Sequence, residues 1–155
     1  MSDTILRVFP VDPEFVPDQT ATARAVEEAR KLFSGRYVEV EAETSDQVVF
    51  VDNGVNLERI VCPRCDSEID LEWWADCMEE ATRDAGAVPA YHLLTVPCCG
   101  AQVRMDELRY EWPVGFARFV IDVWNPDPWP EELDPVTQQL AASVGSPLRA
   151  IWAHY

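Results

Sequence analysis

The sequence predicts an α+β fold: one mixed or antiparallel sheet with helices packed on one face, interrupted by a metal-stapled insertion. A strand–helix–strand pattern opens the chain, a matching pattern closes it, and two close cysteine pairs lie between them. At 155 residues and 17.6 kDa the chain has room for one α/β domain, residues 1–155, with a smaller lobe inserted at 55–113. With 48% hydrophobic residues it can build a core.

Thr4 to Phe9 reads as a strand, stopped by Pro10 and Pro13. Asp18 is placed to cap a helix from Gln19 to Phe33, in which Ala25, Val26, Ala29, Leu32 and Phe33 recur at helical spacing. Ser34-Gly35 closes that helix. Tyr37 to Ala42 alternates as a strand, Gln47 to Val51 forms a second apolar run, and Thr44-Ser45-Asp46 is expected to join them as a hairpin turn. Asp52-Asn53-Gly54 is a further turn. Near the end, Phe116 to Trp124 is a strand. A helix from Glu131 to Val144 follows, with Leu133, Val136, Leu140 and Val144 on one face, then Gly145 as a stop and a last strand from Leu148 to Tyr155.

The two strand exits match: Val8-Phe9-Pro10-Val11-Asp12-Pro13 and Val123-Trp124-Asn125-Pro126-Asp127-Pro128. Each enters a helix and then a strand. This reads as a βαβ duplication of ferredoxin-like kind, against the competing reading of plain helix–strand alternation.

The middle of the chain holds one clear helix, from Leu71 to Asp84, capped by Asp70, with Leu71, Trp74, Met78 and Ala81 or Ala85 on one face. Tyr91 to Val96 is expected as a strand and Asp106 to Tyr110 as a helical turn. Internal apolar pairs are sparse along this stretch, so a metal crosslink is what would order it.

That crosslink is supplied by Cys62-Pro63-Arg64-Cys65 and Pro97-Cys98-Cys99-Gly100, with 32 residues between Cys65 and Cys98. Four soft ligands in two close pairs suit a tetrahedral Zn²⁺ of the closed, structural kind, in a zinc-ribbon-like insertion. The second pair departs from the usual Cys-x-x-Cys spacing, because the residue three before Cys99 is Val96. Adjacent Cys98 and Cys99 can share an ion if the backbone kinks between them, and Pro97 and Gly100 favour that kink. His92 or Cys77 in place of Cys98 is the alternative ligand set. Cys77, near Trp73, Trp74 and Met78, otherwise reads as a small buried hydrophobe.

Two other chemistries could use these thiols. An iron–sulfur or rubredoxin-type centre needs the same four ligands. A thiol redox protein would use Cys62 and Cys65 after the apolar pair Ile60-Val61. Against the latter, Asp66, Glu68 and Asp70 place three acids just behind the motif, where they raise a thiol pKa, and the helix begins only after Asp70.

The formal net charge is −16 and the pI about 4.3. A field of that sign repels phosphate backbones, which argues against direct nucleic-acid binding and favours a basic protein partner or plain solubility. No run approaches a membrane span, and the opening residues lack a secretory pattern, so a cytoplasmic setting with reduced thiols is expected. Eleven of the twelve basic residues are Arg, as in GC-rich bacterial coding sequences. The chain shows neither a Ser-His-Asp set nor a Gly-rich phosphate loop, and its carboxylates form no distinctive pair. Six Trp residues are many for this length, and the neighbours Trp73 and Trp74 point about 100° apart on a helix, so one faces the lobe and the other is left for a partner. The sequence is therefore expected to encode a non-enzymatic, acidic protein-binding module with structural zinc, of the inhibitor or immunity type, meeting a basic partner through Trp73, Trp74, Glu79 and Glu80. A thiol redox or metal-handling protein and a polymerase-associated zinc-ribbon transcription factor are the alternatives.

Overall fold

In the computed structural model, which describes residues 2–83 and 88–155, the chain runs β1 (Thr4–Pro10), α1 (Gln19–Leu32), β2 (Glu39–Val51), β3 (Arg59–Val61), β4 (Glu68–Ile69) and α2 (Leu71–Arg83). It continues through β5 (Leu93–Thr95), β6 (Gln102–Arg104), β7 (Arg109–Glu111), β8 (Gly115–Trp124), α3 (Asp134–Val144) and β9 (Leu148–His154). The fold is α+β, and every paired strand is antiparallel to its neighbour.

The larger sheet has the order β2-β8-β1-β9. Helix α1 connects β1 to β2, and β8 lies between those two strands. Helix α3 connects β8 to β9, and β1 lies between those two. Each strand–helix–strand unit is thus split by a strand of the other, so neither half can complete its sheet alone.

Both helices cover the same face. Ala25, Ala29 and Phe33 from α1 and its end join Val136, Leu140 and Val144 of α3 against Leu6, Val8, Phe119, Ile121 and Val123. Alanine at positions 21, 25 and 29 keeps that side of α1 slim enough to lie close to the sheet and to α3. Asp18 Oδ1 accepts the Ala21 N–H at 2.7 Å, which supplies the helix start. Gly145, at φ 88°, ends α3 while donating to the Ala141 carbonyl at 2.8 Å. Proline at position 135, in the first turn, suits a start at Asp134 and not the earlier Glu131 read from the sequence.

The opposite face is partly closed by the chain itself. After β2, residues 53–56 reach the far edge of the sheet. The Val55 N–H donates to the His154 carbonyl at 2.9 Å, and Asn56 Nδ2 donates to the Trp152 carbonyl at 3.2 Å. Gly54 has φ 66°, and a Cβ there would lie 1.9 Å from the His154 carbonyl oxygen, so this crossing needs glycine.

The hairpin expected at Thr44-Ser45-Asp46 is absent: Glu39–Val51 is one strand. Its register against β8 moves from Thr44↔Phe119 to Val49↔Ala117, so the polar residues form a bulge in place of a turn. The bulge redirects the second half of β2 and thereby places Val48 and Phe50 in the core of the inserted lobe.

That lobe contains the three-stranded sheet β4-β3-β7, the hairpin β5-β6 and helix α2. Asp70 Oδ1 accepts the Glu72 N–H at 2.7 Å and so caps α2; Asp84 and Ala85, expected at the end of this helix, lie outside the described residues. The strand expected over Tyr91 to Val96 shortens to Leu93–Thr95, because a 3-10 turn beginning at Pro89 takes Tyr91. The helical turn expected at Asp106 to Tyr110 is Met105–Glu107, after which β7 pairs with β3.

The sparse apolar contact expected for this region is also corrected. Ile60, Cys62, Ile69, Trp74, Ala90, Leu94, Val96, Val103, Met105 and Leu108 form one buried cluster with Val48 and Phe116 from β2 and β8. Strands β4, β5 and β6 contribute one buried residue each, Ile69, Leu94 and Val103, and Val48 and Phe116 of the larger sheet complete the cluster. No helix among the described residues is long and apolar enough to cross a membrane.

Candidate metal centre

Each half of the site grows from a tight turn on a hairpin. In the first, β3 and β4 flank residues 62–67: the Cys62 N–H donates to the Ser67 carbonyl at 2.9 Å, and the Asp66 N–H donates to the Cys62 carbonyl at 3.0 Å. Asp66 closes the turn with φ 63°. In the second, β5 and β6 flank residues 96–101: the Val96 N–H donates to the Ala101 carbonyl at 3.0 Å, and the Gly100 N–H donates to the Val96 carbonyl at 2.9 Å. Gly100 closes it with φ 71°.

The two turns are therefore the same structure, residue for residue. Pro97 stands where Pro63 does, Cys99 where Cys65 does, and Gly100 where Asp66 does. Val96 occupies the place of Cys62, and both are fully buried. Cys98 stands where the first turn has Arg64. The second turn has valine where the first has its leading cysteine, and carries a thiol at its third position instead.

The outcome is a group of four sulfurs, Cys62, Cys65, Cys98 and Cys99, all within 4.8 Å of one another. Cys65 and Cys98 Sγ are 3.3 Å apart, and Cys62 and Cys99 Sγ are 3.9 Å apart. These distances let the four thiols hold a metal ion. Cys62 is buried at the base, and the other three open to solvent. His92 and Cys77 are not in the group. Burial, with Glu80 and Asp76 nearby, pushes the Cys77 thiol up, as suits a packing residue beside the lobe core.

Proton affinities within the group are split. Hydrogen bonds from the Ser67 side chain and backbone, with a further one from Cys98, pull Cys65 down to about 6. Cys98 is pushed up to about 12, first by its hydrogen bond to Cys65 and then by burial. The group therefore favours losing the Cys65 proton before that of Cys98, and an incoming cation would displace the rest. Cys62 follows strand β3 and begins a hairpin turn, so no helix N-terminus acts on it.

Contacts around the sulfurs fix the first turn. The Arg64 N–H donates to Cys62 Sγ at 3.4 Å. Arg109 of β7 donates to the Cys62 carbonyl at 3.3 Å and pairs with Asp66. This bracing residue was not legible from the sequence, because its partners are 43 and 47 positions away.

Of the residues expected to meet a partner, Trp74 is committed to the lobe. It is buried, meets Phe50 and Tyr110 edge-on at 5.6 and 5.9 Å, and donates from Nε1 to Tyr110 Oη at 3.2 Å. Trp73 is half-buried beside the same cluster, while Glu79 and Glu80 are exposed on α2. Glu79 is held by Arg83 at 2.7 Å.

No protein-family model, curated protein or solved structure matches this chain.

Proposed function

We propose that the four cysteines hold one structural zinc ion, and that the protein is a non-enzymatic cytoplasmic binding module for a basic protein, of the inhibitor or immunity type. The gathering of Cys62, Cys65, Cys98 and Cys99 within 4.8 Å carries the metal half of this reading. A tetrahedron with Zn–S bonds of about 2.3 Å has sulfur–sulfur edges of about 3.8 Å. The contacts of 3.3 and 3.9 Å bracket that edge. Four sulfurs fill a tetrahedron and leave no position for a substrate, which favours a structural ion. The strand order β2-β8-β1-β9, with each βαβ unit split by the other, supports a ferredoxin-like core.

The binding half rests on the charge of −16, which speeds capture of a basic surface. Exposed Glu79 and Glu80 with half-buried Trp73 make α2 the proposed contact. The test is co-purification from the source cell followed by stopped-flow association at increasing salt. Association should slow steeply as charge is screened beyond a Debye length of roughly 8 Å. Glu79→Lys with Glu80→Lys should lower the on-rate while changing stability by less than about 0.5 kcal/mol. A partner whose association ignores both salt and these charges would remove α2 and the acidity from the account.

Thiol redox chemistry using Cys62 and Cys65 is the second reading, favoured by the lowered pKa of Cys65. Disulfide reductase activity that disappears in Cys65→Ala would put it first.

A further inference from the structure

We propose that the groove between the lobe and the larger sheet binds the carboxylate of an organic monoanion, with Arg149 as its anchor. The groove encloses about 630 Å³, within the range of small-ligand sites. It is lined by three arginines, Arg59, Arg109 and Arg149, and by three carboxylates, Asp66, Asp106 and Glu111.

The carboxylates in the same groove are all taken. Glu111 is held by Arg59 at 3.0 Å, Asp66 by Arg109, and Asp106 by Arg104 Nε at 2.9 Å. Arg149 takes part in none of the ion pairs among the described residues. Its guanidinium carries five N–H donors, yet its hydrogen bond is to a neutral acceptor, the Val114 carbonyl at 3.1 Å from Nη2. The same head group lies over the Phe9 ring at 5.1 Å, which fixes its plane. Arg149 is exposed on β9, so its remaining donors are open to a ligand, while partial burial of the head group pulls its pKa down.

A pre-positioned, planar, unpaired guanidinium recognises a carboxylate bidentately. Phosphate fits the same fork, but it brings about two negative charges at neutral pH. Asp66, Asp106 and Glu111 line the groove as well, so one added negative charge is matched by Arg149 and a second is opposed. Val61, Leu108 and Phe116 supply an apolar wall, which suits a ligand with a hydrocarbon body. Such a carboxylate could belong to a small organic acid or to the C-terminus of a peptide. The proposal assigns no role to the metal, although Asp66 and Arg109 of this groove also brace the first cysteine turn.

The test is a ¹⁵N–¹H NMR titration of the full chain as purified. The probes are hexanoate, hexanol, inorganic phosphate, and an N-acetylated apolar tetrapeptide with a free or an amidated C-terminus. Hexanoate or the free-acid peptide should shift the Val114 and Gly115 amides and Arg149 Nε–H, and whichever binds more tightly identifies the source. Hexanol, phosphate and the amidated peptide should bind at least about tenfold more weakly, or ~1.4 kcal/mol. Arg149→Gln should weaken the acid by a similar factor, Arg149→Lys by less, and Arg24→Gln on α1 should change nothing. Arg149→Lys keeps the test valid if Arg149→Gln does not fold. The proposal is overturned if neither carboxylate shifts these signals, if hexanol or phosphate binds as tightly as hexanoate, or if affinity ignores both Arg149 substitutions.

Discussion

Because the two metal turns share the same backbone hydrogen bonds and a positive closing φ, the site can be taken apart and rebuilt in a different register. Cys98 supplies the fourth sulfur from a position where the first turn has Arg64, while buried Val96 stands where the first turn has Cys62. Cys98→Ala removes one of four thiolates. Structural zinc sites contribute about 10–16 kcal/mol in all, so one ligand is worth about 3 kcal/mol. That corresponds to roughly a 10²-fold weaker Kd. Adding Val96→Cys to Cys98→Ala rebuilds two Cys-x-x-Cys turns with matched hydrogen bonds, and should recover most of the loss. The exchange of valine for cysteine in the lobe core should itself cost less than about 1.5 kcal/mol. The assay is competition for zinc against a chromophoric chelator, with circular dichroism to confirm that each variant is folded. The reasoning fails if Cys98→Ala binds zinc as tightly as the parent. It also fails if the double variant is folded and remains as weak as Cys98→Ala alone.

Two further outcomes follow from packing and charge. Trp74→Ala should destabilise by about 3–5 kcal/mol in urea unfolding, since it empties the centre of the lobe, whereas Trp73→Ala should cost clearly less; equal costs would contradict their different burial. Asp122 of β8 pairs with Glu41 of β2 on one side and Arg7 of β1 on the other, with Glu43 and Asp52 near it, and its Oδ1 is 4.0 Å from Arg7 Nε, too far for a hydrogen bond. Burial first, and then those acids, raise its pKa against the opposing pull of Arg7. The folded state therefore holds this proton more tightly than the unfolded chain, so this group's contribution is largest below the unfolded carboxylate pKa and is lost as pH rises through the folded value. Chemical unfolding from pH 3 to 7 should show Asp122→Asn lacking that decline; an identical pH slope in the two proteins would count against it.

Strand β8 and helices α1 and α2 were legible because each carries a long, single-period pattern or a definite cap. Strand β8 alternates buried and half-buried residues from Phe119 to Trp124, and Asp18 and Asp70 each accept first-turn amides. The inserted lobe was not legible, for two reasons. Its strands are two or three residues long, too short for alternation to register, so Leu94 and Val103 give no period. Part of its core is also borrowed from Val48 and Phe116, which the linear pattern assigns to the larger sheet. Thr44-Ser45-Asp46 misled because a bulge and a turn favour the same small polar residues; in the bulge, Arg118 Nε of the partner strand donates to the Ser45 carbonyl at 3.1 Å. For the metal centre the four thiols were visible, but the equivalence of Val96 and Cys62 needed the backbone hydrogen bonds.

Metal content tests the central claim most directly. Native mass spectrometry of protein purified without chelator, paired with elemental analysis, should give one zinc per chain. Cys62→Ser should lose it, since Cys62 is the one ligand buried in the lobe core. Parent protein that carries no metal while its lobe stays folded, or that carries iron in zinc's place, would contradict the account.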